Sequence, residues 1–324
     1  MLAAESGGML PGMDRAWGKP SSRGVATASL VAASALLMLG AARAASDIPL
    51  PKPAPKCDRG NFRVVLDVGH SADAPGAISA RGKSEYGFNL RLAKRIDDSL
   101  VDAGFDKTVL MVTGGNARRT LYLRMAHANR LSADLFLSIH HDSVPDKFYK
   151  KWEFNGAPHI YNDQFKGYSI FVSDRNVDRD ASLAFGSILG NELRARGLQY
   201  TPHYTTPFMG HNRHKLLDDK AGVYRYDALF VLSRSHVPAV LLEAGSIVNR
   251  HEELALASPA RQKLIGAAVV DAVDTFCLAQ VRSGPQVTQS AKRVQHPRRS
   301  RHPRKREAEA APTRLRYRPG AAAQ

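Results

Sequence analysis

Two histidines and two glutamates stand where chemistry can be done. His70 follows "VVLDVG", His140 follows "LFLSI", and Glu243 follows "AVLL", so each stands at the end of a run of buried-strand character. Glu85 lies just before a helical run that starts near Asn89. Imidazole and carboxylate groups are the N and O donors of a catalytic zinc, which takes three protein ligands and keeps a fourth position for water. A further carboxylate, off the metal, takes that water's proton. The four residues therefore suggest a zinc hydrolase. Singly, each has a plainer reading: a His after Gly is a common loop residue, and Glu243 can be an ion-pair partner. The conjunction weighs more, because Glu243 has no basic neighbour beside it and an unpaired buried carboxylate is costly. These residues lack the short spacing of a helix-borne zinc site, so spacing alone adds nothing.

Such groups meet only if the elements before them end at one edge. "RVVLDV", "TVLMVT", "LFLSI", "YSIFVS" and "VPAVLL" read as short buried strands. Between them lie helical runs. "NLRLAKRIDDSLVDAG" sets Leu92, Ile96, Leu100 and Ala103 on one face, and "SLAFGSILGNELRARG" sets Leu183, Ile188 and Leu193 toward a core. "RTLYLRMAHANRL" and the late "RQKLIGAAVVDAVDTFCLAQV" are also helical in composition. The alternation predicts an α/β fold: a single domain with a mostly parallel twisted sheet and helices on both faces. In open sheets of this kind the ligand crevice lies at the carboxyl ends of the strands. The loop from His70 to Glu85 carries Gly76 and Gly82, so it can fold back over the same edge.

The 324 residues carry a net charge of +16 and are 44% apolar. The charge is uneven: from Arg282 onward twelve Lys/Arg face Glu307 and Glu309, while the central part is nearly neutral. We expect a signal peptide over 1–44, from Arg15, Lys19 and Arg23 ahead of a short apolar run ending in "ARA". An uncleaved anchor is the alternative, and Met9 or Met13 can equally be the true start. A Pro-rich linker is expected over 45–61, the catalytic domain over 62–281, and a basic disordered tail over 282–324. The leader implies a periplasmic or secreted protein, which argues against nucleic acid as partner despite the basic tail. The tail is expected to contact an anionic wall or membrane surface. Cys57 and Cys277 are either a disulfide across the domain's ends or two free thiols.

The segment from about Arg63 to Cys277 resembles the zinc-dependent N-acetylmuramoyl-L-alanine amidases of the type 3 family, the periplasmic cell-wall amidases. "VVLDVGHS", "SEYGFNLRLAKRI", "RMAHANRLSADLFLSIHHD" and "VPAVLLEAGSIVN" carry the resemblance, in the family's order and intervals. It implies zinc held by His70, Glu85 and His140, and Glu243 as catalytic base. It also implies peptidoglycan as partner, cut at the amide between N-acetylmuramic acid and L-alanine of the stem peptide. His141 stands beside the ligand position and should point the other way, toward a supporting role. Asp142 is either a carboxylate that orients a ligand histidine or a plain loop residue.

Two features depart from the family. Val68 stands where the family often has Pro, and the segment Ser143–Lys166 is longer than the minimal loop. In some members a helix there blocks the zinc until a partner removes it, which admits an activator protein here. Trp152, Phe154 and Tyr161 can line a glycan or peptide groove, Glu153 or His159 can cap the metal, or the segment is a plain surface excursion. The stretch from His203 to Asp227 can help shape the cleft. Two other functions stay open: a zinc peptidase on stem peptides, and a non-catalytic peptidoglycan-binding module.

Overall fold

β-Branched and apolar runs supply the strands of a computed structural model that describes residues 56–283. The leader expected over 1–44 lies outside these residues, as do most of the linker and nearly all of the tail. β1 (Val64–Val68) is buried at every position. α1 (Glu85–Asp102) opens at Ser84, whose hydroxyl accepts the Gly87 N–H, and buries Phe88, Leu92, Ala93, Ile96 and Leu100. β2 (Val109–Met111), α2 (Ala117–Leu131) and β3 (Leu135–Asp142) follow. A hairpin of β4 (Lys150–Phe154) and β5 (Ala157–Tyr161) precedes β6 (Ser169–Val172) and α3 (Arg179–Ala195). Then come β7 (Lys215–Asp218), β8 (Val223–Arg225), α4 (Phe230–Ser233), β9 (Ala239–Ser246), α5 (Glu252–Ala257) and α6 (Pro259–Ser283).

Seven strands form one sheet in the order β2-β1-β3-β9-β6-β8-β7, and β4 and β5 pair apart from it. β1 is parallel to β2 and β3, β3 to β9, and β6 to β8. The pairs β6–β9 and β7–β8 are antiparallel. The sheet is thus mostly parallel, as expected, with a reversal at β6. No crossover helix separates β3 from β6. The chain leaves β3 and re-enters the sheet from the same edge, which makes β6 run the other way.

α1, α3 and α6 cover one face, and α2 with α4 covers the other. α6 sends Ile265, Ala268, Val269, Ala272, Val273 and Phe276 into the first core; burying a Val, Ile or Phe side chain contributes about 1.5–3 kcal/mol. On α3 the buried stripe is Phe185, Leu189 and Leu193, together with Gly186 and Gly190, while Leu183 and Ile188 lie at its margin. The helix approaches the sheet along its two glycines, and that rotates the face from the one its leucines and isoleucine suggest. The stretch from His203 to Asp227 supplies β8 and the edge strand β7, both too short to be legible in sequence.

Cys57 and Cys277 form a disulfide with Cα atoms 5.4 Å apart. Beside it, Arg59 Nε donates to Asp274 Oδ1 at 2.7 Å, so the start of the described chain is fastened to α6. We predict that non-reducing peptide mapping of the native protein recovers the linked peptides. Replacing both cysteines by serine should lower stability by roughly 3–5 kcal/mol in denaturant titration, the entropic worth of closing so long a loop. Two freely alkylated thiols in the native protein would refute the bond.

Candidate metal centre

The histidines and the second glutamate arrive on neighbouring strands. β1 sets Asp67 opposite Ser138 of β3, and β3 sets His140 opposite Glu243 of β9. Paired positions of adjacent strands share a face, with the strands about 4.8 Å apart. Glu243 therefore lies on the same side as His140, at the carboxyl edge. His70 lies just past β1 with φ 66, a left-handed conformation that is uncommon outside glycine though less so for His. The His70 and His140 rings are 5.0 Å apart, centroid to centroid. Gly69 lies against the His140 ring, which a Cβ there would overlap. The Gly in "GHS" is thus a packing requirement, since only bare backbone admits the second imidazole.

Glu85 comes from the first turn of α1 and lies between the two rings. His70 Nε2 is 3.0 Å from its Oε2, and His140 Nδ1 is 2.9 Å from its Oε1. The Ala77 N–H donates to Oε2 at 3.1 Å, and Asn89 Nδ2 donates to Oε1 at 3.3 Å. Burial alone would raise the Glu85 carboxyl, but the contacts from His140 and His70 hold it well below the usual carboxylate range. The helix N-terminus favours negative charge there too. Burial lowers the His140 imidazole, against the contact from Glu85 that raises it.

Among the described residues, His70, Glu85 and His140 form a group whose donor atoms lie within 4.8 Å of one another. Two imidazole nitrogens and one carboxylate are the donor set of a catalytic zinc. Ligands about 2.0–2.1 Å from a tetrahedral ion lie about 3.3 Å apart, close to the His–Glu separations seen here. The side chain of His70 is 30% exposed, against 14% for His140 and 7% for Glu85, so the cluster opens on the His70 side. These residues fit a zinc ion.

Glu243 is the fourth group. Its Oε2 is buried and has no hydrogen-bond partner. Burial, then the charges of Asp142 and Glu85, push its carboxyl well above the usual range. A cleft of about 300 Å³ lies beside it, lined by Asp142, Tyr204, His214 and Tyr226 among others.

The neighbouring residues take other parts. His141 points to the opposite face, as strand alternation predicts. Its Nδ1 is 2.8 Å from Asn89 Oδ1, its ring packs on Phe88, and burial holds it down to about 3. Asn89 also donates to the Gly69 carbonyl at 3.1 Å, so one amide ties together the His70 turn, Glu85 and His141. An Asn on the buried face of α1, one turn after Glu85, was the available signal for it. Asp142 does not orient a ligand histidine. Both its oxygens accept the Tyr204 hydroxyl at 2.8 Å, and Oδ1 accepts the Ser143 N–H. The register shift between His140 and Asp142 turns it toward the cleft. Tyr204 had no recognisable sequence signal.

The long segment after β3 is a hairpin, with an Asn155–Gly156 turn, in place of a blocking helix. Glu153 is exposed, and the His159 ring lies against Gly82. Neither belongs to the metal-binding group, so the expectation that one of them caps it is not met.

An open α/β sheet with a His, Glu, His cluster and a free carboxylate at its carboxyl edge is the layout of a metal-dependent hydrolase. The family model described as N-acetylmuramoyl-L-alanine amidase matches residues 64–275. The chain belongs to that family. It is similar to the N-acetylmuramoyl-L-alanine amidase AmiA of Escherichia coli, with 27% identity over 243 residues, 69% of this chain and 79% of that protein. In fold it is similar to the N-acetylmuramyl-L-alanine amidase Ami1 from Mycobacterium smegmatis, with a TM-score of 0.51 and 19% identity, covering 68% of this chain and 98% of that one. Ami1 from Mycobacterium abscessus gives a TM-score of 0.50 at 19% identity, covering 67% and 98%.

Gly69→Ala tests the geometry. The added methyl must displace the His140 ring, so affinity for a divalent metal should fall at least tenfold, in the range seen for changes just outside a metal's ligands. Circular dichroism should remain that of the folded protein. Unchanged affinity would mean that the ring does not need the bare backbone.

Proposed function

We propose that the chain hydrolyses the amide between the lactyl carbonyl of N-acetylmuramic acid and L-alanine in peptidoglycan, with zinc held by His70, Glu85 and His140 and with Glu243 as base. The observation that carries this reading is the Glu243 carboxyl, buried with an unpartnered Oε2 on the strand next to His140. A carboxylate in that condition needs a reason, and a proton to move supplies one. Zinc bound by the cluster would activate water and polarise the amide carbonyl. Glu243 takes the proton of the attacking water, and gives it to the alanine nitrogen as the C–N bond breaks. Asn89 and the Ala77 N–H hold Glu85 in place meanwhile.

The leader over 1–44 and the linker over 45–61 fit export to the periplasm or beyond, where this substrate is found, with the catalytic domain over 62–281. We assign the tail over 282–324 to attraction toward anionic wall or membrane surfaces. A chain truncated after Gln280 should sediment less with peptidoglycan sacculi at low salt, and salt should erase the difference. Equal sedimentation in all conditions would remove that role.

The two glutamates fail differently. Glu85→Ala removes one of three ligands, so zinc content and turnover should fall together. Glu243→Gln keeps volume and removes only the proton acceptor. It should retain its zinc while turnover on sacculi falls about 10²–10⁴-fold. Metal content by plasma emission and new amino ends are read on the same preparations. Loss of metal from Glu243→Gln with retention in Glu85→Ala would reverse the assignments, and activity in both would place the chemistry elsewhere.

A further inference from the structure

The hairpin β4–β5 is tied to the loop that delivers Glu85. Trp152 Nε1 donates to the Ala80 carbonyl at 3.0 Å. From Ala80 the path to the His70, Glu85 and His140 cluster is short and hydrogen-bonded throughout. The Ser79 N–H donates to the Lys83 carbonyl at 2.7 Å, Ile78 bridges Ser84, and the Glu85 N–H donates to the Ala77 carbonyl at 2.8 Å. The His159 ring rests on the Gly82 backbone, so the hairpin touches this loop at two places.

The same hairpin grips the segment that follows β9. The Arg81 guanidinium lies over Trp152 and Phe154, at 5.4 and 5.3 Å from the ring centroids. That guanidinium also donates to Glu253 Oε2 at 2.6 Å and to the Arg250 carbonyl at 2.8 Å. Arg250 lies over Trp152 and Tyr161 and is bonded to Asp163. The Ala80 N–H donates to the Ile247 carbonyl, and the Asn162 N–H to the Val248 carbonyl, both at 2.9 Å. The chain's own arginines thus engage the aromatic rings, which makes them a poor platform for a sugar. Three segments meet here: the Glu85 loop, the hairpin, and the chain just beyond Glu243.

We infer that the β4–β5 hairpin is a fixed brace for the Glu85 loop, with Trp152 as its positioning residue, and that it sets how tightly the site holds its metal. This rests on the reading of His70, Glu85 and His140 as ligands. A brace differs from a gate in what it changes. Loosening a gate frees the site, whereas loosening a brace lets one ligand wander and lowers affinity for the ion. It differs from a substrate platform too, because excess metal repairs a loosened site and does nothing for a lost sugar contact.

The test uses the full chain with Trp152→Phe and Trp152→Ala. Zinc affinity is measured by competition with a chromophoric chelator, and turnover on sacculi is followed against added zinc. Trp152→Ala should bind zinc 10–100-fold more weakly, the usual effect of removing support behind a ligand. Trp152→Phe keeps a ring but loses the indole donor, and should fall by about threefold to tenfold by the same reasoning. Saturating zinc should restore wild-type turnover in both, a rescue that a merely structural role would not give. If Trp152→Ala does not fold, Trp152→Phe decides. Unchanged affinity with raised turnover would make the hairpin a gate, and reduced turnover at saturating zinc would make it part of the substrate site; either overturns the brace. Glu85→Ala is run alongside. If it binds zinc as tightly as the wild type, the ligand reading itself has failed, and the brace falls with it.

Discussion

The structure turns on one carboxylate. Glu85 is buried, ionised and set between two imidazoles, and burying such a charge costs several kcal/mol unless it is paired and hydrogen-bonded. Two histidines, a backbone N–H and the Asn89 amide meet that demand. Each imposes a condition on the chain. The N–H comes from a loop that must fold back, the amide from the next turn of α1, and the rings from the ends of two adjacent strands. A cation at the cluster would satisfy the same charge by another route. The arrangement is therefore suited to a metal without being rebuilt for it, which favours tight binding because little must reorganise.

Sheet register does the rest. His140 and Glu243 are partners across β3 and β9, so the spacing of this imidazole and this carboxylate is set by backbone hydrogen bonds and not by loop conformation. Because β6 runs antiparallel to β9, Ser169 at its start lies opposite Glu243. The strand on the far side of Glu243 thus begins at the edge that carries the cluster. The chain from β3 to β6 consequently stays at that edge throughout, and the hairpin is found beside the site for a topological reason.

Much of this was legible beforehand. The buried strands and the face of α1 are legible in the sequence, His70, His140 and Glu243 stand where apolar runs end on polar groups, and Glu85 stands just before a helical run. His141 could be separated from His140 by strand alternation alone. What stayed hidden depends on three-dimensional meeting. The partner of Asp142 proved to be Tyr204, 62 residues away, and no local pattern encodes such a contact. β7 and β8 are only four and three residues long, below the length at which alternation is distinctive. The hairpin is polar on its outer side, with Lys151 and Glu153 exposed, and its inner side packs on arginines, so it does not read as a strand that seeks a core. The face of α3 was misjudged because glycines carry no hydropathic signal, yet they decide how closely a helix can approach.

A second buried charge lies beneath the first. Arg124 of α2 donates to Asp67 Oδ2 at 2.6 Å, and Ser138 donates to the same oxygen at 2.7 Å. Asp67 Oδ1 and Arg124 Nε have no partner, so the pair is not optimised for stability, and a well-packed apolar pair of similar volume is often as stable. Its position suggests what it does instead. Asp67 and Ser138 are register partners on β1 and β3, three and two residues before His70 and His140. A shared hydrogen-bonded oxygen at that level pins the two strands to each other and to α2 just below the point where both deliver an imidazole. An apolar pair would hold the layers together, but it would not specify which residue of β1 faces which residue of β3. A slip of one residue would turn His140 to the opposite face. The ion pair is best understood as a register mark for the two imidazoles, imperfect as a source of stability and well placed as a source of geometry.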